Sequence, residues 1–132
     1  MDNREQILSK IKKALRRSGD THTFEDVVRA LQDGRMQSFW NETALVVTEI
    51  VATPRRNFVS VFLVAGDLNG VMGLHDKVCR WAIDNGYDFS RISVRPGFAR
   101  LLEQRGWKKR QVTMELELHG WCPLCSNDHK QD

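Results

Sequence analysis

Phe58-Val59-Ser60-Val61-Phe62-Leu63-Val64-Ala65-Gly66-Asp67-Leu68-Asn69-Gly70 is the stretch that decides the architecture. Its first eight residues form an apolar run rich in β-branched and aromatic side chains, the composition of a strand buried on both faces. Gly66-Asp67-Leu68-Asn69-Gly70 breaks that run. From Leu68 onward, Leu68, Val71, Met72, His75, Val78, Cys79, Ala82 and Ile83 recur at intervals of three and four. This spacing predicts a helix over 68–83, stopped by the Asn85-Gly86 cap. Arg91-Ile92-Ser93-Val94 reads as a second, short strand. Pro96-Gly97 then opens a shorter helix with Phe98, Leu101 and Leu102 on one face, closed by Arg105-Gly106 before Trp107. A strand, a long helix and a strand in this order predict a parallel pair joined by a right-handed crossover.

Working outward, Ile7, Leu8, Ile11, Ala14 and Leu15 mark one face of an N-terminal helix within residues 1–20, whose other faces carry Lys10, Lys12, Lys13, Arg16 and Arg17. Thr23 and Asp26 have the spacing of a capping box at the start of the next helix, whose buried face is Phe24, Val27, Val28 and Leu31. From Arg35 the period changes to two. Met36, Ser38 and Trp40 share one side of a short strand, Asn41-Glu42 is a turn, and Ala44 to Val51 is the next strand, followed by a turn at Pro54-Arg55-Arg56-Asn57. At the other end, Gln111 to Leu118 alternates, with Val112, Met114, Leu116 and Leu118 inward and Glu115 and Glu117 outward. That pattern predicts a last, half-buried strand antiparallel to its neighbour. The expected fold is therefore α/β (α+β): one domain over 1–132 with a central mixed sheet, antiparallel then parallel, flanked by helices. Residues 119–132 form a tail containing Cys and His.

The 132 residues suit a single domain. No 18-residue apolar run is present, and Met1-Asp2-Asn3-Arg4-Glu5 is too polar for a secretory signal, so the expectation is a cytoplasmic chain with no membrane partner. Twenty Lys and Arg against 17 Asp and Glu leave a formal charge of only +3, which gives little support to a nucleic-acid role. The basic groups Lys10 to Arg17 and Arg105, Lys108, Lys109 and Arg110 read as solvated faces, with a nucleic-acid contact as the open alternative. Three cysteines do not make a disulfide framework.

The order of elements from Phe24 to Leu118 resembles the GCN5-related N-acetyltransferase fold. More narrowly, Val64-Ala65-Gly66-Asp67-Leu68, Arg95-Pro96-Gly97-Phe98 and the Gly106-Trp107 ending resemble small acetyltransferase-like proteins encoded in tailed-phage genomes. The fold resemblance implies acyl-CoA binding at the turn after the central strand, where Leu63, Val64, Ala65, Asp67, Asn69 and Gly70 are the matching positions. The pyrophosphate would be received by the turn amides and the helix N-terminus. This chain departs from that pattern. The basic residue expected ahead of the turn is missing, and Asp67 can cap the amides itself while repelling a phosphate. Leu102 stands where the resemblance implies a proton-donating tyrosine, and the asparagine often found after the preceding strand is replaced in the region Arg95-Pro96. Glu49 is the one carboxylate whose neighbours place it as a candidate base, and exposure to solvent or pairing with Arg55 or Arg56 is the alternative. His75 reads as a core or boundary histidine, and Tyr87 as a loop anchor.

His119, Cys122, Cys125 and His129 follow one another at three, three and four residues. Two thiolates and two imidazoles at such spacing suit tetrahedral zinc, while an unliganded tail and a redox dithiol stay open. The sequence therefore leads to a diverged, non-catalytic acetyltransferase-like phage protein with a structural, virion or host-interaction role. On that reading it lies in the cytoplasm of an infected host cell or in the virion, with a phage or host protein as partner. Self-association and nucleic acid also stay open as partners. No cofactor is expected, although acetyl-CoA and zinc are the candidates to test. The alternatives are an active acyl-CoA-dependent N-acetyltransferase acting on a primary amine and a nucleic-acid-associated regulator.

Overall fold

A computed structural model describes residues 3–17 and 21–122. The chain divides into two compact units, Met1–Ile92 and Ser93–Asp132. The first contains α1 (Asn3–Arg17), α2 (Phe24–Gln32), β1 (Met36–Trp40), β2 (Ala44–Ala52), β3 (Asn57–Gly66), α3 (Leu68–Asp84) and β4 (Phe89–Ile92). The second contains α4 (Pro96–Glu103).

The sheet order is β1-β2-β3-β4. Two short connections make β1–β2 and β2–β3 antiparallel, and the α3 crossover makes β3–β4 parallel, as the spacing of the central stretch predicts. On one face α1 and α2 close a core of Ile11, Leu15, Val27, Ala30, Met36, Val47, Leu63 and Ala65. On the other, α3 buries Val71, Leu74, Val78 and Ala82 and packs against all four strands, with Trp81 edge-on to Phe39 at 5.2 Å. β3 is covered on both sides: Leu63 and Ala65 lie in the α1/α2 core while Val59 is wholly buried.

Thr48 is also wholly buried, and its hydroxyl donates to Gln37 Oε1 at 3.0 Å. The β2–β3 register shifts between Val47 and Thr48. Val47 pairs with Leu63 and Thr48 with Val61, so Phe62 is the extra residue of a bulge. Phe62 accordingly sits half-buried, edge-on to His22 at 4.7 Å, instead of at the centre of the core.

Two expectations change. β4 begins at Phe89, two residues before the expected start, because Phe89 stacks on Phe58 at 4.5 Å and Asp88 Oδ2 accepts from the Asn57 amide at 2.9 Å. Residues 111–118 form no strand, and Val112, Met114, Leu116 and Leu118 are exposed. Alternation marks a chain suited to a pleated, half-covered surface; it does not supply the neighbouring strand. Among the described residues, no helix is long and apolar enough to cross a membrane.

Candidate functional site

The candidate site is the turn from Gly66 to Gly70, where β3 runs into α3. Gly66 has φ +125°, a conformation that L side chains rarely adopt. A Cβ built there would lie 2.3 Å from the Thr43 carbonyl oxygen, and one on Gly70 would lie 2.2 Å from Thr43 Oγ1. The room that these two glycines create is thus filled by the chain itself, through the β1–β2 turn.

Asp67 is the N-cap of α3, and its Oδ1 accepts from the Gly70 amide at 2.6 Å. The same oxygen accepts from the Thr43 hydroxyl at 3.2 Å. Thr43 is oriented in turn by Asn41. The Thr43 amide donates to Asn41 Oδ1 at 3.0 Å, and Asn41 Nδ2 donates to the Gly70 carbonyl at 2.9 Å. Asn41, Thr43, Asp67 and Gly70 therefore form a connected polar network that fastens the β1–β2 turn to the first turn of α3. Asn41 and Thr43 were not among the sequence candidates. The Asn-x-Thr turn is visible locally, but its target 24 to 29 residues away is not.

These residues do not fit an acyl-CoA pyrophosphate. The glycine cradle is occupied by Thr43, an amide at the helix start already serves Asp67, and the Asp67 carboxylate adds negative charge to the helix N-terminus that would receive the phosphates. Of the other matching positions, Leu63 and Ala65 direct their side chains into the α1/α2 core, Val64 is half-buried, and Asn69 is exposed. What β3 does offer is backbone. β4 pairs only with Phe58 to Val61, so the corresponding edge of residues 62–66 has no strand beside it among the described residues.

Glu49 is not brought to this turn. Ala44 pairs with Gly66, whereas Glu49 pairs with Met36 and Ser60, five residues further along β2 and about 17 Å away at the usual strand rise. Leu102 is buried in α4. On α3, His75 Nδ1 lies 2.9 Å from Asp76 Oδ1, and His75 Nε2 lies 3.8 Å from the Cys79 sulfur. Burial first, and the Asp76 carboxylate second, push the Cys79 thiol up, the opposite of what an activated nucleophile needs. Tyr87 packs tilted against Trp81 at 5.6 Å, an anchor for the loop after α3.

For the metal quartet, His119 is exposed and Cys122 half-buried, whereas Cys125 and His129 lie outside the described residues. Among the described residues no group of three or more His, Cys, Asp or Glu side chains is placed to hold a metal.

No protein-family model matches the chain, and no curated protein matches it. Solved structures do. A Trypanosoma brucei acetyltransferase is similar with a TM-score of 0.64 at 12% identity, over 86% of this chain and 94% of that one. An aminoglycoside acetyltransferase from an uncultured soil metagenomic sample gives 0.64 at 9% identity, over 89% and 95%. A mutant protein from Bacillus halodurans gives 0.58 at 16% identity, over 89% and 96%. At such identities the likeness shows the fold alone: a mixed sheet, antiparallel then parallel, flanked by helices, as in those acetyltransferase structures and as the sequence resemblance implies.

Proposed function

We propose that this chain is a non-catalytic protein on an acetyltransferase fold. Its role is structural or one of interaction, as a virion component or toward a host protein in an infected cell. The observation that supports this reading is the Asp67 carboxylate, held by Thr43 at the N-terminus of α3, where it uses a free amide and its charge opposes a phosphate. The leucine at position 102, which has no proton to donate, points the same way. The assignment to phage rests on the sequence resemblance at Val64 to Leu68, Arg95 to Phe98 and Gly106-Trp107.

Calorimetric titration with acetyl-CoA tests it. Wild type should give no measurable heat. Asp67→Asn keeps much of the cap while removing the charge, and should bind weakly at most. Micromolar binding by wild type, together with transfer of the acetyl group to a primary amine, would overturn the proposal.

The second reading, an acyl-CoA-dependent N-acetyltransferase, is favoured by one feature: the strand-free edge of residues 62–66, whose backbone groups could pair with the amides of an extended cofactor arm. Glu49 would be its candidate base. Acetylation of an amine by wild type, abolished in Glu49→Gln, is the result this reading requires.

A further inference from the structure

Val112, Met114, Leu116 and Leu118 are 78%, 87%, 61% and 71% exposed, a row of large apolar side chains open to solvent among the described residues. They alternate with Thr113, Glu115 and Glu117, so an extended chain places the four on one side and the carboxylates on the other. Among the described residues no hydrogen bond engages 108–117. A segment with the pattern of a strand and both edges open needs a second strand, and the charges along it say which. Lys108, Lys109 and Arg110 come first; Glu115 and Glu117 follow. Laid parallel, two such segments set like charge on like. Laid antiparallel, the basic end of each meets the acidic end of the other.

We propose that residues 108–118 pair antiparallel with the same residues of a second copy of this chain, joining two chains as a dimer. The register with Met114 opposite Met114 pairs the whole apolar row. Val112 faces Leu116 on the apolar side, Arg110 lays its aliphatic stem over Leu118, Thr113 faces Glu115, and Gln111 faces Glu117 with Lys109 on the diagonal. Of the two registers displaced by one pleat, one sets Glu115 against Glu115 and is opposed by repulsion, and the other sets Leu116 and Leu118 against Arg110 and Lys108 and leaves less apolar surface paired. The contact is isologous, so it closes at two copies. It does not depend on whether the chain binds acetyl-CoA.

Sedimentation velocity of the full chain over a concentration series, under reducing conditions, tests the pairing. Wild type should show a monomer–dimer equilibrium. Met114→Lys sets two ammonium groups together at the twofold axis and, at so exposed a position, leaves the monomer fold intact; it should weaken the dimer by at least about tenfold. Lys109→Glu and Glu117→Lys should each weaken it, and the double variant should restore it. Three results overturn the proposal: a wild type that stays monomeric to about 0.5 mM, a dimer indifferent to Met114→Lys, or single charge variants that the double variant does not rescue. Amide protection of 111–118 in a monomer would likewise overturn it, because the segment would then pair within its own chain.

Discussion

Thr43 is joined to Asp67 twice: the Asp67 amide donates to the Thr43 carbonyl oxygen at 3.3 Å, and the Thr43 hydroxyl donates to Asp67 Oδ1 at 3.2 Å. The pair turns a helix start that could receive an anion into a closed joint between the β1–β2 turn and α3. Closeness of packing at this joint can be read from two glycines on the same helix. Gly70→Ala drives a methyl group to 2.2 Å from Thr43 Oγ1 and should cost about 1–3 kcal/mol. Gly73→Ala has Asn41 Nδ2 as its nearest neighbour at 3.7 Å, in ordinary contact, and should stabilise by about 0.5–1 kcal/mol through helix propensity. Urea denaturation of both variants checks the opposite signs.

In β3 the bulge separates two neighbours that look alike in sequence. Leu63 is buried in the α1/α2 core, and Leu63→Ala should cost about 2–5 kcal/mol. Phe62, half-buried at the bulge, should cost less when truncated to alanine, although it is the larger side chain. Equal or reversed losses in denaturant midpoint would contradict this placement.

Thr48 combines complete burial with a hydrogen bond to Gln37, so a nearly isosteric exchange isolates the polar contribution. Thr48→Val leaves the Gln37 carbonyl without its donor inside the sheet and should cost about 1 kcal/mol. The Gln37→Leu, Thr48→Val double variant should recover part of that loss, and thermal denaturation of the three variants measures it.

The capping box of α2 sets a dependence on acid. The bond from the Thr23 amide, at 2.9 Å, and then the Thr23 side chain hold the Asp26 carboxyl below its ordinary value of 3.8. A carboxyl lowered in the folded state contributes its stability in full above the unfolded value and loses it as pH falls through the folded one. The stability difference between wild type and Asp26→Asn should therefore be full at about pH 6 and smaller at about pH 2. Denaturation at both pH values makes the comparison.

Local chemistry was legible in the sequence, and long-range pairing was not. The apolar run of β3, the period of α3 and the caps at Thr23 and Asp67 each depend on residues within a few positions of one another, so the chain states them directly. The Phe58–Phe89 stack that moves the start of β4 joins residues far apart in sequence. The Asn41 and Thr43 contacts to the α3 turn have the same character, as does the bulge at Phe62. Alternation over 111–118 gave the conformation that segment is suited to, while its partner depends on which sheet edge is within reach.

The α3 crossover also carries a consequence for the order of assembly. β1, β2 and β3 meet through short connections as two consecutive hairpins that share β2, and so can form at little cost in loop entropy. β4 is joined to β3 through the 17-residue α3 and held by the pairs from Phe58–Phe89 to Val61–Ile92, so its pairing closes a longer loop than either hairpin does. The parallel edge should be the last part of the sheet to form and the first to open. Native-state hydrogen exchange would show it as amides of β4 trading at lower denaturant than those of β2. A sheet built in this sequence has a slow-forming margin beside a pre-assembled centre, so changes that weaken the Phe58–Phe89 stack should act on the late closing step and leave the hairpins standing.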